Sequence, residues 1–276
     1  MSAGVEAPPS VTNGGTTGRT GKRRRPTGET VRVYVLRVVL IVVIIAVWQY
    51  IGSRSTHNQF FYSKPSDIWN SLRHLLVSGP FYVDLRYTMY ETVIGFLIGG
   101  AAGIILGFAL GFSRTAYRVL DPILNALNCL PRIALSSLFI LWFGLGVQSK
   151  IALVISLVFF PLFLNAYKGA TTIDPDQVLL MHTFRASRMD IIRKITLPAT
   201  APWVITGAKL GIAQALGGAV IGEIIAAQFG LGAALNTDAQ SFATGDEFAI
   251  ILVLIVIALL LNGIFTIFES RTSSWR

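Results

Sequence analysis

Charge is scarce in this 276-residue sequence: Asp, Glu, Lys and Arg make up 13% of it, about half of what an ordinary soluble domain carries. Cysteine is scarcer still, because Cys129 stands alone and excludes a disulfide framework. Three histidines, His57, His74 and His182, leave little material for a metal centre. There is no G-x4-G-K-[ST] phosphate loop, no H-E-x-x-H zinc pair and no G-x-S-x-G nucleophile elbow, so catalytic machinery of those kinds is not encoded. What the chain has is apolar residues, 53% of the total, with a mean hydropathy of +0.62. That is more apolar surface than one core hides, and it makes a lipid bilayer the natural solvent.

A net charge of +9 invites a nucleic-acid reading, but the charge is distributed as a membrane protein's would be. Residues 1–32 hold six Lys or Arg against Glu6 and Glu29, are rich in Gly, Thr and Pro, and contain no aromatic residue. They read as a disordered basic tail. A secretory signal is the rival reading, but the basic region is too long for one and the apolar run 33–51 is long enough to span. Runs of spanning length recur at 86–112, 120–144, 150–167, 201–226 and 248–268, which predicts an all-α integral membrane domain over 33–276 with six transmembrane helices. Pro131 and Pro161 fall inside two of them, as membrane helices tolerate when neighbours satisfy the freed carbonyls. Between the first two runs, Pro65, Ser66 and Asp67 lead into amphipathic Ile68, Trp69, Leu72, Leu75 and Leu76, a short helix outside the membrane. With the amino terminus in the cytoplasm, fifteen of the 23 Lys and Arg lie on the inner face and five on the outer, which satisfies the positive-inside rule. The loop 227–247 has no Lys or Arg but carries Asp238, Asp246 and Glu247, as an outer loop should.

Glycines at 95, 99, 103, 107 and 111 repeat every four residues and fall on one stripe of a helix. In lipid, small residues let backbones approach and gain dispersion contacts, so this stripe predicts a packing seam. Gly207, Gly211, Ala215, Gly218 and Gly222 form a similar stripe, and the two helices are expected in one bundle core.

Residues 168–200 are too structured for a plain connector. Asp174 before Pro175 is an N-cap and first-turn pair, and Ser187 with Asp190 resembles a capping box, so two short helices are announced, the second stopped by Leu197-Pro198. Apolar Val178, Leu179, Leu180 and Phe184 beside Arg185 and Arg188 suit either a cytoplasmic protein partner or the lipid interface.

Here the sequence resembles a known family. Arg185-Ala186-Ser187 followed by Ile195-Thr196-Leu197-Pro198-Ala199 is similar to the cytoplasmic signature of type I ABC importer permeases, E-A-A-x3-G-x9-I-x-L-P. The wider match is to their nitrate/sulfonate/taurine branch: Leu120-Asp121-Pro122, Leu130-Pro131-Arg132-Ile133-Ala134-Leu135, Trp142-Phe143-Gly144-Leu145-Gly146, Gly222-Glu223 and Gly230-Leu231-Gly232. The resemblance implies a multi-pass subunit of a prokaryotic inner membrane, paired with a second permease copy and fed by an extracytoplasmic solute-binding protein. It also implies an ABC-type ATPase subunit, which would carry ATP and Mg and dock on a coupling helix within 174–198. The coupling set it implies is Asp174, Leu179, Leu180, Met181, Phe184, Arg185, Ala186, Ser187, Ile195, Leu197 and Pro198. Counted back from Pro198, the signature's Glu-Ala-Ala positions hold Leu179, Leu180 and Met181, and its glycine position holds Arg185. A glycine there would permit a left-handed turn that Arg adopts less readily. Subfamily drift matched by a cognate ATPase and an unusually selective interface are both open readings.

Polar residues at membrane depth are costly unless paired or wet, which selects Asn125, Asn128, Arg132, Asn165, Gln214 and Glu223 as pathway or buried polar candidates. Arg132 offers a cation to an anionic solute or a salt bridge to Glu223. Gln214 suits a pathway lining or a helix–helix hydrogen bond, and Lys209 and Arg37 are placed to snorkel to the inner interface. The expected function is passage of a small solute, such as a sulfonate, taurine or nitrate, with no cofactor on this chain. A channel or an ion-coupled carrier is the alternative, and its driving-force residues are not evident.

Overall fold

The computed structural model describes residues 28–54 and 63–272, which are helical throughout apart from short connections. Most of the predicted basic tail lies outside the described residues, but its last five do not: helix α1, Gly28–Ser53, already includes them. The tail boundary therefore moves back from 32, because Val31 and Arg32 continue the helix that the apolar run sustains. The chain divides into two units, Met1–Val47 and Trp48–Arg276. In the first, the apolar side chains of α1 are exposed, and the helix is long and apolar enough to cross a bilayer.

The second unit comprises α2 (Pro65–Val77), α3 (Gly79–Gly111), α4 (Arg114–Cys129), α5 (Leu135–Phe143), α6 (Val147–Thr171), α7 (Pro175–Thr183), α8 (Arg188–Ile191), α9 (Leu197–Ala226), α10 (Leu231–Gln240) and α11 (Thr244–Thr272). Proline in the first turn of α2, α3 and α7 starts each helix where a missing N–H costs nothing.

Helix α6 is the centre of the unit, gripped from two sides by glycine stripes. Added Cβ atoms on α3 would meet α6 in rising order: Gly95 against Val154, Gly99 against Ile155, Gly103 against Phe159, Gly107 against Phe163 and Gly111 against Ala170. On α9 the order runs backwards: Gly207 meets Pro161 and Asn165, Gly211 Leu162, Gly218 Leu157 and Gly222 Lys150. So α3 lies parallel to α6 and α9 antiparallel, and the two stripes share one bundle by closing on α6 rather than on each other. Val154, Val158 and Leu162 of α6 with Ala208, Ile212, Ala215 and Ala219 of α9 fill the space between.

The third predicted span is not one helix. Pro131 lacks an N–H and holds Leu130 extended, so α4 ends, a 3-10 turn forms over Arg132–Ala134, and α5 leaves at 74°. The broken pair still crosses the bundle. Because α3 and α6 are parallel, the chain leaves α3 beside the end of α6 and must return to its start, and residues 112–146 make that journey. With α1 and the broken pair taken as one span, the described residues hold six stretches long and apolar enough to cross a membrane.

Leu197-Pro198 does not stop a helix, contrary to expectation. A π turn, Ile192–Thr196, joins α8 to α9 and makes Arg188–Ala226 one helix of 39 residues. The carbonyl that Pro198 cannot serve, that of Lys194, falls inside this turn, where the usual hydrogen-bond pattern is already relaxed.

Candidate functional site

At the end of the bundle where α3 and α6 begin, six ionisable or hydroxyl side chains gather from three helices: Asp84, Thr88, Glu91 and Thr92 of α3, Lys150 of α6 and Glu223 of α9. The N-terminus of α10 presents three successive N–H groups with no helical partner. Gly230 N donates to Asp84 Oδ1 at 2.8 Å, Leu231 N to Thr88 Oγ1 at 2.9 Å and Gly232 N to Glu223 Oε2 at 2.8 Å. Thr88 in turn donates to Glu223 Oε1 at 2.7 Å. The Glu223 carboxylate thus sits at a helix N-terminus, where the backbone dipoles favour negative charge. The glycines make this possible: Gly230 has φ +117°, and a Cβ there would lie 2.2 Å from Glu223 Oε1, while one on Gly232 would lie 2.4 Å from the Val220 carbonyl. Lys150, also buried, donates to the carbonyls of Leu145, Gly146 and Ala226, and so ties the start of α6 to the last turn of α9. Glu91 lies against both Glu223 and Lys150; its Oε2 and the Thr92 hydroxyl are buried with no hydrogen-bond partner among the described residues. A cleft of about 320 Å³ opens beside this knot, its mouth marked by Tyr87 stacked on Phe229 at 5.2 Å.

The expected Arg132–Glu223 salt bridge is therefore absent: both Glu223 oxygens are committed to α3 and α10. Of the knot, the sequence reading selected Glu223 alone. Asp84, Thr88 and Glu91 were missed, although their spacing continues the glycine stripe backwards along the same face of α3.

At the opposite end, α7 and α8 form a hairpin beyond α6. Asp174 accepts from Asp176 N at 2.9 Å, and Ser187 and Asp190 close a full capping box. Between them Arg185 takes φ +54°, with Arg185 N donating to the His182 carbonyl at 2.9 Å and Ala186 N to that of Met181 at 3.1 Å. This is a Schellman turn, and Arg185 occupies the left-handed position that glycine favours. Leu179, Leu180 and Phe184 stand 66%, 58% and 73% exposed, while Met181 and Ala186 are half-buried. Ile195 lies in the π turn, and Leu197 and Pro198 are exposed at the start of α9.

The remaining candidates are scattered. Asn125 and Asn128 are exposed on α4, and Arg132 Nη2 donates to the Asn128 carbonyl at 3.2 Å and to its amide oxygen. Its guanidinium lies 4.6 Å over the Phe160 ring. Asn165 donates to the Pro161 carbonyl at 2.8 Å, Gln214 is exposed on α9, and Lys209 bonds to Glu269 of α11 in place of snorkelling alone.

The family described as binding-protein-dependent transport system inner membrane component matches residues 99–274. The chain belongs to this family. A Bacillus subtilis protein carrying the name of an aliphatic sulfonates transport permease, SsuC, is 30% identical over 239 residues, covering 87% of each chain. The taurine transport system permease protein TauC of Escherichia coli is 26% identical over 251 residues, covering 88% of this chain and 90% of its own. Among solved structures, a chain of the MetNI methionine ABC transporter in an inward-facing crystal form superposes with a TM-score of 0.56 at 18% identity, covering 75% of this chain and 94% of that one.

The permease carries the fold of a type I ABC importer subunit. Its family match begins within the glycine stripe, so Asp84, Thr88 and Glu91, which complete the knot around Glu223, lie upstream of the matched stretch.

Proposed function

We propose that this permease forms half of the solute pathway in an ATP-driven importer for small organic anions of the sulfonate class. Two copies pair, each amino terminus lies in the cytoplasm, and an extracytoplasmic binding protein delivers solute to the face that bears the Glu223 knot. A partner ATPase, holding ATP and Mg, docks on the 174–198 hairpin. The basic residues Lys168, Arg188, Arg193 and Lys194 cluster at the hairpin end, as a cytoplasmic face requires. The sulfonate class follows the names of the relatives.

The observation that carries the reading is the hairpin's apolar tip. Three large apolar side chains stand in solvent on a turn fixed by two caps, and such a patch on a rigid scaffold is an interface lacking its partner. ATP-driven closure of paired ATPases would move the two hairpins, and the glycine-seamed bundles would turn as bodies around the path between them. Leu180→Asp with Phe184→Asp is the direct test. The expected result is loss of ATPase co-purification and of uptake, with the permease still folded and inserted in the membrane. Intact co-purification and uptake would refute the docking assignment.

A further inference from the structure

The polar face of α4 is the feature the docking reading leaves unexplained. Arg118, Asp121, Asn125, Asn128 and, past the break, Arg132 follow a three- and four-residue spacing that puts them on one side of the broken span. Asn125 and Asn128 are exposed, and none of the described side chains of α4 is fully buried against the rest of the chain. Turned to lipid, this face would hold two asparagines, an aspartate and two arginines in hydrocarbon, which bilayers exclude. It faces water.

The stripe ends at Arg132, near the midpoint of the crossing that pairs Thr115–Cys129 with Arg132–Phe143. Its carboxylate partner predicted from sequence is bound elsewhere, and among the described residues none replaces it. The side chain is nevertheless held in place. Nη2 spends both its hydrogens on Asn128, and the ring of Phe160 backs the guanidinium plane at 4.6 Å. That leaves the Nε and Nη1 donors, three N–H groups, without partners among the described residues. An oriented guanidinium with its fork open, at a helix break halfway across a membrane, is built to take two oxygens of one anion.

We infer that Arg132 is the anion station of the translocation path, gripping the sulfonate, or another oxyanion group, of the solute between the outer and inner openings. Asn128 positions the guanidinium and Phe160 supports it. The inference rests on the importer reading for its solute, but not for its test.

Cys129, the single cysteine, is exposed three residues from Arg132 and serves as a built-in reporter. The intact transporter, purified with its own partners in lipid nanodiscs, is labelled with a sulfonate-bearing methanethiosulfonate and separately with its trimethylammonium analogue. The ratio of the two rates is read in wild type, Arg132→Gln and Arg132→Lys. Expected are labelling by both reagents, an anionic-to-cationic ratio at least tenfold lower in Arg132→Gln, and a ratio near wild type in Arg132→Lys. Free methanesulfonate should slow labelling in wild type only. Failure of either reagent to reach Cys129 would put this face in lipid or protein and overturn the inference, as would a ratio unchanged in Arg132→Gln. Absence of sulfonate uptake by a wild-type complex whose ratio depends on Arg132 would instead fault the solute class and leave the anion station standing.

Discussion

The seam between α3 and α6 makes a graded prediction. At Gly99, Gly103 and Gly107 the atoms that an added Cβ would strike belong to backbone: Ile155 Cα at 2.9 Å, the Phe159 carbonyl oxygen at 2.5 Å and the Phe163 carbonyl oxygen at 2.4 Å. At Gly95 and Gly111 the obstacles are the side chains of Val154 and Ala170. Backbone within a helix cannot swing aside, so Gly103→Ala forces the helices apart around the substitution, an overpacking cost of about 1–3 kcal/mol. Alanine is also the better helix former, by about 1 kcal/mol, which obscures a single measurement. Gly217→Ala in α9 and Gly263→Ala in α11 cancel that contribution, because a Cβ at either position meets nothing within 4 Å. The thermal midpoint of Gly103→Ala in mild detergent, followed by size-exclusion chromatography, should fall below the two controls by roughly 2–12 °C. Gly99→Ala and Gly107→Ala should behave like Gly103→Ala, and Gly95→Ala less severely. A Gly103→Ala variant as stable as the controls would mean that the stripe is not a close-packed seam, and the parallel register of α3 with α6 would lose its basis.

Gly230→Ala places a side chain at φ +117° and within 2.2–2.7 Å of the Glu223 carboxylate. Strain and overpacking together should cost about 2–5 kcal/mol, read as loss of folded permease on extraction or a steep fall in thermal midpoint. Arg185→Gly relieves a left-handed turn at φ +54° and should stabilise the hairpin by about 0.5–1 kcal/mol; slower amide exchange across 175–187 is the expected result, and unchanged or faster exchange would contradict it. Asp238 in α10 has its carboxyl pushed up to about 6, by burial first and then by Asp246 and Glu247. The folded state therefore prefers the protonated form. Its stabilising contribution is full below the ordinary value of 3.8 and is lost as pH rises through about 6. Thermal midpoints of Asp238→Asn should be less pH-dependent between 4 and 6 than those of wild type, and identical slopes would refute this.

The crossings were legible because apolar runs of bilayer length carry their own signal, and Gly95 to Gly111 were legible as a seam because their period matches a helix face. Their partner was not, because a stripe of small residues says that something approaches and not what. Only the order of contacts along α6 gave that answer. The break at Pro131 was misread as a tolerated kink, since sequence alone does not say whether neighbours will satisfy the freed carbonyls. The two short helices of the 174–198 hairpin were legible from their caps, but the end of α8 was placed at Leu197-Pro198 because the π turn that carries the helix past proline leaves no mark in composition. Glu223 was found and its partners were not. Asp84, Thr88 and Glu91 looked like the ordinary polar flank of a span, and nothing near position 223 in the sequence points to Thr88, 135 positions earlier, or to its neighbours on α3.

The π turn also explains how one helix can serve both ends of the molecule. From Arg188 to Ala226 the chain is a rod of 39 residues, about 58 Å long. Its first turn belongs to the hairpin, and its last turn holds Glu223 and the Ala226 carbonyl that Lys150 caps. Along the way its glycines lie against α6, and sliding or rotation by a fraction of a turn disturbs the packing of Val158 and Leu162 on Ile212 and the Lys209–Glu269 pair to α11. At the far end the same motion must move a buried carboxylate that holds two helices through hydrogen bonds to Thr88 and Gly232. Displacing that carboxylate exposes the N-terminus of α10 and leaves Glu223 unpaired, a cost above that of sliding along the seam. Under the proposed docking, a push at the hairpin is therefore resisted less along the rod than at the knot, and a resistance of that kind gives two states where uniform packing would give a continuum.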